Sequence, residues 1–163
     1  MVTWGSGSSG GDAHIWSGYP YFKTDKNVTA QLSSGIRKIF STGSDYGGDS
    51  GAAFAALKND GSVVTWGRDF AGGDSSAVAS KISSGVVEVF STALAFAALK
   101  SDGSVVTWGH PLRGGDPVVA TLNTNSGGYS YSHVTNQISG GVVKIFATQF
   151  AFAALKTNGS ELS

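Results

Sequence analysis

An all-β fold built from three tandem units is what the sequence predicts, on three observations. The phrase "DGSVVTWG" occurs twice, at Asp60–Gly67 and Asp102–Gly109. The phrase "AFAALK" occurs three times, at Ala53–Lys58, Ala95–Lys100 and Ala151–Lys156. Before each stands a β-branched segment: "SSGIRKIFST" from Ser33, "SSGVVEVFST" from Ser83 and "SGGVVKIFAT" from Ser139. Self-similarity at a fixed period marks a repeat architecture, and none of the segments has the long 3.6-residue period of a helix.

Each unit begins on a tryptophan strand. "TWG" stands at Thr3–Gly5, Thr65–Gly67 and Thr107–Gly109, and eight residues after each Trp comes the Asp of a "GGD": Asp12, Asp74 and Asp116. Asp after Gly-Gly suits a turn, where its carboxylate binds backbone N–H groups. A residue that recurs in every unit serves the frame, so these three Asp are read as structural, as are Trp4, Trp66 and Trp108. The middle unit is the bare one, with Trp66 and Trp108 42 residues apart. The first carries 12 extra residues after "GGD" and 8 after "FST", and the third carries 14 after "GGD".

The segment "SAVASKI" (Ser76–Ile82) reads as a short outer strand, with a helical turn as the alternative. "VVEVF" is β-branched and reads as a strand. "AALKNDGSVVTW" reads as a hairpin closed by the two-residue turn Asp60–Gly61. That turn pairs Lys58 with Val63, Leu57 with Val64, Ala56 with Thr65 and Ala55 with Trp66. The units then run over 1–62, 63–104 and 105–163 of one domain, with the strand at 1–4 completing the last.

This order resembles the β-propeller repeat of the regulator of chromosome condensation (RCC1) family. The residues that carry the resemblance are "AALKSDGSVVTWG" (Ala97–Gly109) and "VVEVFSTALAFAAL" (Val86–Leu99). The unit is shorter than the family's, and "GGD" stands where the family has a Gly-Gln-Leu-Gly type turn. The resemblance implies a propeller-like arrangement and protein binding as a generic role. The last unit has the first half of its hairpin, "AALKTNGS", and the other half is present as "MVTW" at the N-terminus. Val2–Trp4 is therefore expected to pair with Ala153–Lys156 and close the molecule, removing a sheet edge. Propellers have four or more blades. A trefoil-like three-fold structure, a six-unit ring of two chains, and an open arc in a larger assembly are thus the alternatives.

Composition narrows the function. Eleven basic and eleven acidic residues cancel, which argues against phosphate-driven nucleic-acid binding. Charged residues are 13% of the chain, about half the usual share, which favours association. With no cysteine there is no disulfide, thiolate metal site or thiol nucleophile. No signal peptide is visible, and no apolar run is long enough to span a bilayer. His14, His110 and His133 lack metal-ligand spacing, no Gly-x-Ser-x-Gly elbow occurs, and no nucleotide fingerprint is present. Neither catalysis nor a cofactor is expected.

Candidate contact residues lie where the units differ. The first insert, "AHIWSGYPYFK", holds His14, Trp16, Tyr19, Tyr21 and Phe22; the third, "LNTNSGGYSYSH", holds Tyr129, Tyr131 and His133. Aromatic rings in loops suit a contact surface, for a protein or for sugar rings, and the alternative is a local minicore. Between "WG" and "GGD" the four-residue loops vary freely: "SGSS", "RDFA" and "HPLR". A constant frame with variable loops is a presentation scaffold, which adds Arg68, Phe70, His110 and Arg113. The expected function is a non-catalytic module for protein–protein interaction, as a structural subunit of a larger complex or a homo-oligomer, with a carbohydrate-binding module as the alternative.

Overall fold

The computed structural model describes residues 28–43, 52–123, 128–157 and 161–162. The strand Val2–Trp4 and the insert from His14 to Phe22 lie outside the described residues. Three antiparallel sheets of three strands carry the repeated phrases, and the chain is all-β. The first holds β1 (Ile36–Ser41), β2 (Ala53–Lys58) and β3 (Val63–Gly67); the second holds β4 (Val86–Ser91), β5 (Ala95–Lys100) and β6 (Val105–Gly109). A hairpin of β7 (Val118–Asn123) and β8 (Gly128–His133) follows as a sheet of its own. The third sheet holds β9 (Val142–Ala147), β10 (Phe152–Lys156) and β11 (Glu161–Leu162). Each "AFAALK" is thus a central strand, which is why it is the most apolar phrase.

The hairpin turn is one residue longer than the sequence suggests, and the register moves with it. Lys58 N–H donates to the Ser62 carbonyl at 2.9 Å and Gly61 N–H to the Lys58 carbonyl at 3.0 Å. The loop is therefore Asn59–Asp60–Gly61, with Gly61 at φ +77°, a three-residue turn closed by a glycine in the left-handed region. Leu57 faces Val63, Ala56 faces Val64, Ala55 faces Thr65, and Trp66 faces Phe54 rather than Ala55. The indole stacks on that ring, with centroids 5.3 Å apart. In the second sheet Trp108 faces Phe96 at 5.4 Å.

Asp60 Oδ1 accepts from Ser62 N–H at 2.9 Å and Ser62 Oγ–H at 2.6 Å, and Asp102 does the same with Ser104. These bonds favour the carboxylate and hold both groups below the ordinary Asp value. A lowered folded-state pKa gives stability that is present above the unfolded value near 3.8 and lost as pH falls through the folded one. Thermal melts of the wild type and of the double variant Asp60→Ala/Asp102→Ala should therefore differ at neutral pH and converge below the ordinary Asp range. A gap that stays constant down to strong acid would contradict this.

The three sheets pack face to face in sequence. Ala55 and Leu57 of the first sheet meet Phe96, Ala98, Val106 and Trp108 of the second. Ala97 and Leu99, on the second sheet's other face, meet Ile145, Val142 and Ala154 of the third. Outer-strand phenylalanines follow the same rule: Phe40 packs into the first interface and Phe90 into the second. Phe146, their counterpart in the third sheet, is 48% exposed. Backbone bonds tie the units at one end, with Gly43 N–H donating to the Ala93 carbonyl and Ala93 N–H to that of Gln149, at 2.9 and 3.0 Å. Lys38 reaches Glu88 at 3.0 Å between matching positions of the first two sheets.

The expected outer strand at Ser76–Ile82 is not formed. Ser76–Val78 is a 3-10 turn, and Ile82 N–H donates to the Val78 carbonyl at 3.2 Å. Local bonding places Val78 and Ile82 four residues apart on one side, where both pack into the first interface. The insert at 118–133 also departs from a loop, since it is the β7–β8 ribbon. The third hairpin continues past its turn, so that β11 pairs Leu162 with Ala154 and Glu161 with Leu155. That is the register of Val106 with Ala98 and Val105 with Leu99. The edge expected to take Val2–Trp4 is thus already filled at Ala154 and Leu155.

Candidate contact surface on the loop rim

The variable loops sit at the end of the sheets opposite the hairpin turns, and the frame holds them rigidly. Each leaves a tryptophan strand as a 3-10 turn, Asp69–Ala71 or Pro111–Arg113, and ends on a left-handed glycine, Gly72 or Gly114. Thr42 Oγ donates to the Ala71 carbonyl at 3.0 Å and Thr92 Oγ to the Arg113 carbonyl at 2.7 Å. The repeated "FST" threonines therefore clamp loops whose own residues differ. Asp74 Oδ1 accepts from Ser76 N–H at 3.0 Å, and Thr65 Oγ donates to the Gly73 carbonyl at 2.9 Å. The "GGD" that follows the first loop is bonded as a turn.

On this support, side chains from loops beside all three of these sheets form one strip. The Arg68 guanidinium lies over the Phe70 ring at 4.5 Å, and Phe70 meets His110 edge to face at 6.3 Å. His110 Nδ1 accepts the Leu112 N–H at 3.2 Å, which caps the second loop and fixes its ring. Arg113, one turn on, lies over Phe150 at 4.2 Å. Leu112 is 74% exposed and Phe150 45%. Arg68, Phe70 and Arg113 are half-buried, and each guanidinium–ring contact contributes about 0.5–2 kcal/mol and holds the cation in place. The strip offers apolar area, two oriented guanidinium groups and a histidine, which is the chemistry of recognition.

Of the residues the sequence singles out, Arg68, Phe70, His110 and Arg113 come together here. Leu112 and Phe150 join them without having been anticipated. Phe150 stands where the middle unit has Leu94, which is buried, so "TQFAF" against "TALAF" was the available signal. His133 lies elsewhere, at the foot of the ribbon, with Nδ1 3.5 Å from Asp116. Tyr129 and Tyr131 occupy β8 opposite Leu122 and Ala120. Trp66 and Trp108 are buried. His14, Trp16, Tyr19, Tyr21, Phe22, Trp4 and Asp12 lie outside the described residues.

Among the described residues no group of three or more His, Asp or Glu side chains is placed to hold a metal ion, and no helix is long and apolar enough to cross a membrane. Compared with known proteins, the chain matches no family model and no curated protein.

Proposed function

We propose that this chain is a non-catalytic repeat scaffold that binds a protein partner through its loop rim, as one subunit of a larger complex. The observation that carries the reading is the strip from Arg68 to Phe150: residues that differ between units, gathered by a frame that repeats. Protein interfaces favour this composition, with aromatic and Arg side chains at their centre. The face-to-face stack of sheets and the Ala-Leu-x-x-Asp-Gly hairpin support assignment to an RCC1-like propeller type of arrangement. Near-neutral charge directs the partner class toward protein and away from nucleic acid.

Site-specific photo-crosslinking tests the reading in the native cell. A photoreactive phenylalanine at Leu112 should give one discrete adduct, and Arg113→Ala/Phe150→Ser should abolish it. The same probe at Ser101, on the opposite end of the sheets, should give none. Equal labelling from both positions, or adducts indifferent to the rim substitutions, would remove the rim as the binding surface.

A further inference from the structure

The rim holds a cation that the chain does not neutralise. Arg113 is half-buried, and among the described residues no carboxylate is paired with it. Its guanidinium lies over the Phe150 ring at 4.2 Å, so the ring takes one face and the in-plane N–H donors are left for another acceptor. Thr92 Oγ holds the Arg113 carbonyl at 2.7 Å and the His110 carbonyl holds its N–H at 3.0 Å, so the backbone beneath this side chain is fixed on both sides. Arg68, the other guanidinium of the strip, differs, because it and the neighbouring Asp69 have further interactions within the chain. A second donor stands at the start of the same turn as Arg113. His110 Nδ1 accepts the Leu112 N–H at 3.2 Å, which in the neutral ring puts the proton on Nε2. That N–H has no acceptor among the described residues, and Phe70 meets the ring edge to face and keeps its orientation. Between the two donors Leu112 is 74% exposed.

We propose, on the reading that the loop rim binds a protein, that Arg113 is a carboxylate receptor and that the partner docks an acidic segment on it. A Glu or Asp side chain of the partner accepts from the guanidinium, His110 Nε2–H is the second donor, and an apolar neighbour covers Leu112 and Phe150. Desolvation decides the sign of the partner's charge. A protein seated on this rim takes water away from a guanidinium that is already half-buried, and a neutral partner would leave that charge uncompensated. A carboxylate compensates it, and its two oxygens match two parallel N–H donors of the planar fork. The Phe150 ring and the closed turn hold the cation before the partner arrives, so little side-chain freedom is lost on binding.

Selection of random peptides displayed on phage, with the full wild-type chain as bait, tests the assignment. The peptides retained should be enriched in Asp and Glu beside an apolar residue. A synthetic copy of the strongest binder should bind Arg113→Gln about tenfold or more weakly than wild type. The same peptide with its acidic residue changed to the amide should lose a similar factor on the wild type. Both changes together should cost little more than one, because the pair is already broken. Arg113→Lys keeps the charge without the fork and should recover only part of the affinity. His110→Asn, which still caps Leu112, should bind a few-fold more weakly, and an unchanged affinity removes His110 as a donor. Circular dichroism confirms that the variants remain folded. Binders that are lost on Phe150→Ser but carry no acidic residue overturn the carboxylate receptor and leave the rim as a contact surface, as do additive losses from the two changes. The absence of any binder, or binders indifferent to both Arg113→Gln and Phe150→Ser, removes the rim itself and the receptor with it.

Discussion

Trp108→Ala should lower the unfolding free energy by about 3–5 kcal/mol, the cost of deleting a large buried ring. Trp108 stacks on Phe96 within the interface between the first two sheets and is almost fully buried. Its removal opens a cavity against Phe96 and leaves the buried Gly72 carbonyl without its donor. Trp108→Phe separates the two losses, since it keeps a ring but not the N–H. That variant should cost less, of the order of the 1–3 kcal/mol for an orphaned buried polar group plus part of the cavity. Urea unfolding monitored by circular dichroism measures both, and an unchanged m-value shows that stability alone has moved. A midpoint within error of wild type for Trp108→Ala would mean that the interface does not hold the sheets together.

The second large effect comes from the smallest side-chain addition. Gly72→Ala places a methyl group 2.6 Å from Phe96 Cδ2, where a normal contact needs about a further ångström, and does so at φ +98°. The ring is stacked on Trp108, whose Nε1 lies 3.5 Å from the same Cβ, so it has little room to yield. Overpacking and a left-handed conformation together predict a loss of about 2–4 kcal/mol. Gly43→Ala is the control. Its Cβ meets nothing within 4 Å and its φ lies outside the left-handed range, so its effect should stay within about 0.5 kcal/mol. Denaturation of the pair under identical conditions should show a large separation; similar midpoints would refute the packing argument.

What could be read from the chain in advance divides along physical lines. The strands were legible because their phrases recur and their residues are β-branched, whereas the central place of "AFAALK" in each sheet came from the structure, which buries the phrase on both faces in the middle unit. The register was not. Asp60–Gly61 fits a two-residue turn, and the longer loop declares itself only through the Lys58–Ser62 pairing and the Asp60 bonds to Ser62. That one-residue difference replaces Ala55 with Phe54 as the partner of Trp66. "SAVASKI" was misread because Val78 and Ile82 show the helical spacing once only, too briefly to be recognised as a period. The rim loops were legible as the places where copies disagree. Phe150 was missed because it sits inside a repeated phrase, where a change from leucine to phenylalanine looks conservative although it turns a buried position into an exposed one.

The amide links from Gly43 to Ala93 and from Ala93 to Gln149 make the middle unit a keystone. Both faces of its sheet are held by neighbours, whereas each outer sheet has one flank not held by another described sheet. The β7–β8 ribbon is accommodated in the connection from β6 to β9, its base closed by the Val134 N–H on the Pro117 carbonyl. All the extra length in this sequence falls in the first and third copies, and the middle copy alone has kept the minimal period. In a nearest-neighbour array of this kind, tolerance to insertion is a property of position in the row rather than of the unit's own sequence.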